Sequence, residues 1–151
     1  MHGSIARAGV AFCEFHGDIA SQVFCMMTLE YFTEGSEECP LIRLSGFEAT
    51  DVPALREICV ALAERRVNDV CLDSLDWVSS VGACRLTLRF GGKNRGVRFP
   101  RAGQPFVMEC TGEGWLEVAE KLEAMGDGTD GFQWLTIEGD VGVLISRDGR
   151  W

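Results

Sequence analysis

The sequence predicts an α+β fold, with two helices packed on one face of a mostly antiparallel sheet. Three observations carry this. Only two segments place apolar residues at helical spacing. Eight short apolar or alternating runs, bounded by Gly, Pro and acidic turns, read instead as strands. The order strand, helix, strand, strand occurs twice, which suggests a duplicated β-α-β-β unit at the level of topology. Each helix has one apolar stripe and needs one sheet face to cover it, so a two-layer sandwich follows.

The 151 residues are read as a single domain. A chain of this size buries roughly 68–70% of the surface its unfolded form exposes, and needs no metal or disulfide to fold. Residues 1–20 lack periodicity and are read as a flexible or swapped N-terminal arm.

The strand 22–32, "QVFCMMTLEYF", comes first. It is apolar on both faces, with Val23, Cys25, Met27, Leu29 and Tyr31 on one and Phe24, Met26 and Phe32 on the other. That pattern fits a central strand or a subunit seam, and a homodimer is expected on this ground. A strand at 40–47 follows, then a helix at 51–66. Thr50 or Asp51 can cap this helix, Pro53 sits in its first turn, and Val52, Leu55, Cys59 and Leu62 form its stripe. Strands at 69–75, 84–90, 96–100 and 105–110 lead to a second helix at 113–125. Thr111 is its candidate cap and Gly126 its stop, and Trp115, Val118 or Ala119, Leu122 and Met125 form its seam. Its glutamates Glu113, Glu117, Glu120 and Glu123 lie off that seam. Strands 132–137 and 141–146, joined by "EGD", read as a hairpin.

Charge is distributed unevenly. The chain carries 14 Lys+Arg and 23 Asp+Glu, a net of −9. Residues 77–108 hold no acid and six cations, which leaves the other 119 residues at −15. The overall field repels phosphates and anionic lipid, so neither nucleic acid nor a membrane surface is an expected partner. A basic protein partner suits it better. No apolar run reaches the ~20 residues that span a bilayer. Glu14, His16 and Asp18 interrupt any leader-like apolar core, so a cytoplasmic location is expected. Seven cysteines, odd in number and without a CxxC, sit mostly in apolar stretches and read as reduced core thiols.

The basic segment is "CRLTLRFGGKNRGVRFP", residues 84–100. Strand alternation points Arg85, Thr87 and Arg89 one way and Leu86, Leu88 and Phe90 the other. With "GGKNRG" as the turn, Val97 and Phe99 rejoin the apolar side and Arg98 lies beside the other arginines. Gly and Asn94 are the residues expected to supply the turn's positive φ angles. This predicts a hairpin with an apolar underside and an arginine face. That face is either solvated or opposed by the second helix's glutamates, or it recognises an anion or a partner through guanidinium forks.

Catalytic signals are sparse. His2 and His16 are the only histidines, "CEFH" is too small a set for a metal site, and Asp73 and Asp76 in "CLDSLDW" read as a polar turn. No phosphate-loop or dinucleotide glycine pattern occurs. No catalytic residue, metal site or cofactor is therefore assigned. Of the four tryptophans, Trp115 belongs to a helix seam, Trp151 docks at an unspecified place, and Trp77 and Trp134 are candidate walls of a site.

Two functions follow as expectations. The first is a non-catalytic protein–protein interaction module, inhibitor-like or immunity-like, working through its charge segregation. The alternative is a small-molecule binding protein or enzyme for an anionic ligand. Its site would lie between sheet and helices, with Arg85, Arg89 and Arg98 gripping the anion and Trp77, Trp115 or Trp134 as walls.

Overall fold

In the computed structural model, residues 27–126 and 131–151 are described. The chain runs β1 (Met27–Phe32), β2 (Leu41–Ser45), α1 (Asp51–Ala63), β3 (Asp69–Cys71), a 3₁₀ turn (Leu72–Ser74), β4 (Val78–Ser80), β5 (Leu86–Phe90), β6 (Gly96–Val97), β7 (Phe106–Cys110), α2 (Gly112–Gly126), β8 (Phe132–Thr136) and β9 (Gly142–Ser146). The expected N-terminal arm, the start of the first strand, both histidines, Cys13 and Cys25 lie outside the described residues.

The α+β class stands. The strands divide into two mixed sheets, ordered β4-β1-β2-β9-β8 and β3-β5-β7-β6. β2 runs parallel to β9 and β5 parallel to β7, while β1–β2, β8–β9, β3–β5 and β6–β7 are antiparallel. β1 is an interior strand, flanked by β2 and β4; Phe24 and Met26, on which its expected second apolar face rested, lie outside the described residues. The β-α-β-β order appears twice, as β2-α1-β3-β5 and β7-α2-β8-β9, and each half contributes strands to both sheets. Exchanging β1 with β6, β2 with β7, β3 with β8 and β5 with β9 reproduces order and direction.

The helices explain themselves locally. In α1, Val52, Leu55, Cys59 and Leu62 are all buried, as their spacing predicts. Thr50 makes no side-chain cap; Asp51 instead accepts the Glu48 backbone N–H at 2.8 Å. Burial raises the Asp51 carboxyl, and the Glu48 amide partly offsets that. α1 ends earlier than expected because Arg65 turns left-handed at φ 59°. Arg66 N–H then bonds to Ala61 O at 2.9 Å and Arg65 N–H to Leu62 O at 3.1 Å, a Schellman closure. Thr111 caps α2 as predicted, accepting from Gly114 N–H at 3.1 Å. At the far end Arg147 donates to Met125 O at 3.0 Å, a cation beside the helix's negative end.

α1 and α2 pack along each other, with α1 against β5 and α2 against β7 and β8. One apolar cluster joins both layers. It takes Met27, Leu29, Ile42 and Leu44 from the first sheet's strands, Leu86, Leu88 and Met108 from the second's, and Leu55, Trp115 and Leu122 from the helices. Each fully buried Leu or Met there contributes on the order of 1.5–3 kcal/mol. The two sheets meet at a bridge between Val97 and Val141. Gly96 lies at that seam with φ 62°, and a Cβ on it would fall 2.2 Å from Glu138 O, so only glycine fits.

Candidate functional site

Alternation along the second sheet separates its two faces. Val70, Leu86, Leu88, Val97, Met108 and Cys110 enter the core. The other face carries Asp69, Thr87, Arg89, Val107 and Glu109. Register sets Asp69 beside Arg89, and Arg89 beside Glu109. The resulting row alternates in sign. Arg89 Nη2 stands 3.9 Å from Asp69 Oδ2, and Arg95 Nε stands 3.3 Å from Glu109 Oε2. The first pair is exposed and the second is half-buried at Glu109; pairs this open to solvent contribute only about 0–1 kcal/mol each.

The expected hairpin is not formed. β7 inserts between β5 and β6, so the two arginine-bearing strands are next-nearest neighbours. The reason is that "GGKNRG" makes a crossover to the far edge. Among its residues only Gly96 takes a positive φ, and Asn94 serves through its side chain. Asn94 Oδ1 accepts from Thr111 N–H at 2.9 Å and from Thr111 Oγ1 at 3.2 Å, fixing the start of α2. β6 spans two residues, so alternation fails beyond it. Val97 is fully buried, but Phe99 is 57% exposed, with its N–H held by Asp140 Oδ2 at 3.0 Å.

The crossover and β7 enclose a groove of about 270 Å³ lined by Arg89, Arg95, Arg98, Phe99, Arg101 and Glu109, among others. Four arginines thus line one concave surface beside an exposed ring. Among the described residues Arg98 and Arg101 make no ion pair. The glutamates of α2 do not face this groove; Glu123 pairs instead with Arg56 at 3.9 Å. Arg89 and Arg98 thus line one groove with Arg95 and Arg101, although not as neighbours on a hairpin, and Arg85 lies outside it.

Arg85 belongs to a second groove of about 380 Å³, lined by Glu30, Tyr31, Val81–Arg85 and Gly103–Phe106. Arg85 Nη2 donates to Gly103 O at 2.7 Å, which fixes its fork and leaves further N–H donors. Tyr31 and Phe106 lie ring to ring at 4.7 Å, tilted by 51°. Burial raises the Tyr31 phenol, with the Cys39 and Cys84 thiols adding to it. Burial likewise pushes the Cys84 thiol up to about 11, helped by Asp73 and Glu30. Burial thus favours the protonated form of both groups. Gly82 and Ala83 form the rim at φ 63° and 58°. Ala83 carries left-handed strain that the Val81–Cys84 turn bond and the Ser80 Oγ bond to Cys84 O hold in place.

The tryptophans do not converge. Trp115 is fully buried, with Nε1 donating to Arg89 O at 3.0 Å. Trp77 packs at the margin of the core. Trp134 lies on the first sheet's outer face beside Phe132, its ring over Gly142. Trp151 docks on that face too, its ring 5.2 Å from Phe32 and near Arg43, with Nε1 bonded to Ser36 Oγ at 2.9 Å. Between sheets and helices the space is filled, leaving a void of about 10 Å³ lined by core residues such as Leu55, Leu86 and Trp115. Asp73 is a turn acceptor, taking Leu86 N–H at 2.9 Å.

Sequence reasoning missed Arg95 and Arg101 as site residues because they lie in loops without periodicity. It missed the Tyr31–Phe106 floor because those strands belong to different sheets. Among the described residues no helix is long and apolar enough to cross a membrane, and no cluster of three metal-capable side chains occurs. Comparison with protein-family models, curated proteins and solved structures returned no match.

Proposed function

We propose that this protein is a non-catalytic interaction module that binds an acidic segment of a partner protein in the arginine groove of its second sheet. One observation carries the reading. Arg89, Arg95, Arg98 and Arg101 line a single groove in a chain of net charge −9, and two of them have no acidic partner among the described residues. Guanidinium forks match carboxylates in pairs, and several on one concave surface select a run of them. The acidic remainder of the chain repels such a segment elsewhere, so attraction is confined to this face.

A protein segment fits better than nucleic acid. Among the described residues the groove offers one exposed ring, Phe99, and no row of rings on which successive bases could stack. Glutamate-rich, lysine-rich and single-stranded DNA probes separate these possibilities by fluorescence anisotropy on the full chain. The expected result is binding of the glutamate peptide, weakening with salt, and lost in Arg98→Glu/Arg101→Glu. Preference for the lysine peptide or the DNA, or an unaffected double variant, overturns the reading.

A further inference from the structure

The two grooves are one surface. Gln104 and Pro105 line both, and the turn that closes Gln104 N–H onto Arg101 O at 2.9 Å stands between them. Their chemistries differ. The first offers four arginines. The second offers the Tyr31–Phe106 rings and Val81, 42% exposed; among the described residues Arg85 is its only cation, and its one acid, Glu30, is paired with Arg43 at 3.1 Å. An apolar floor with one anchored fork suits a ring followed by a carboxylate, not a run of charges.

The second groove is also stiff. Arg85 is held by Gly103 O, Ala83 is locked in a conformation most residues avoid, and the tilted ring pair fills the base. Stiff walls lose little entropy on binding and therefore discriminate shape.

We infer that the bound segment is extended and acidic and places one aromatic side chain of its own in the Tyr31–Phe106 groove, with its carboxylates over Arg89, Arg95, Arg98 and Arg101. This rests on the arginine-groove reading and adds an anchor to it. Charge gives the encounter; the buried ring gives the specificity.

The test uses the full chain, calorimetry and two synthetic peptides. One is a glutamate run bracketed by phenylalanines; the other replaces these with alanines. The phenylalanine peptide binds about tenfold tighter. Tyr31→Leu, which keeps an apolar side chain, and the exposed Val81→Asp both erase that ratio while the alanine peptide binds as before. Arg98→Glu/Arg101→Glu weakens both peptides. Equal affinity for the two peptides, or a ratio untouched by Val81→Asp, overturns the aromatic anchor while leaving the acidic reading in place. Failure of both peptides to bind overturns the reading itself.

Discussion

The indole of Trp115 donates to the backbone carbonyl of Arg89 at 3.0 Å, so the most buried tryptophan holds the strand whose side chain lines the arginine groove. Core and surface meet in one residue, through different atoms. Trp115→Phe removes the hydrogen bond, leaves the carbonyl short of a donor and opens a gap. It is expected to cost about 2–4 kcal/mol. Arg89→Ala keeps the carbonyl and loses only an exposed guanidinium, so its expected cost is under about 0.5 kcal/mol. Urea unfolding of the two variants checks this. Similar losses in both would mean that the Arg89 side chain is itself structural.

Arg65 stands at φ 59° at the end of α1, and its guanidinium lies 4.8 Å over the Phe90 ring. Ala and Gly replacements both delete the ring contact, which is exposed and contributes about 0.5–1 kcal/mol. They differ only in backbone. Inside a helix alanine is the better residue by about 1 kcal/mol. Here the order reverses, and Arg65→Gly should exceed Arg65→Ala by about 1 kcal/mol, because a Cβ is strained in the left-handed region. Thermal unfolding of the pair reads the difference directly. Alanine equal to or better than glycine would show that α1 does not end in this closure.

What could be read in the sequence was local. The stripe Val52–Leu62, the Thr111 cap and the β8–β9 hairpin all involve residues within a few turns or one loop of each other. What could not be read was non-local. The pairing of Arg89 with Glu109 depends on β7 entering between β5 and β6, and no residue in "CRLTLRFGGKNRGVRFP" records that. Alternation therefore applies to Arg89, within β5, while Arg85 and Arg98 lie just beyond β5 and β6 and line different grooves. Phe99 was misplaced for a related reason, since a two-residue strand carries no alternation past its end. Asn94 looked like a turn former, and its partner Thr111 is a separate element's cap. The grooves are products of packing order.

The thiols tie the core to pH and to reagents. Burial pushes Cys84 up to about 11 and Cys110 up to about 12, and drives Cys59 higher still; like charge from Asp73 and Glu109 adds to the first two. Each of these groups holds its proton more tightly folded than unfolded. The resulting stabilisation is complete below the unfolded value of about 9 and is lost as pH rises through about 11 and 12. Stability from urea midpoints should thus be unaffected by these thiols up to about pH 8 and fall steeply above 9, with a shallower fall in Cys110→Ala. Modification follows the same geometry, because thiolate and access are both needed. With iodoacetamide at pH 8, among the described cysteines exposed Cys71 should alkylate first and half-buried Cys39 next, while Cys59, Cys84 and Cys110 react only after unfolding. Peptide mass mapping gives the order. Early labelling of Cys84 would mean that the groove floored by Tyr31 and Phe106 opens down to the core, and the rigid anchor site inferred there would then be excluded.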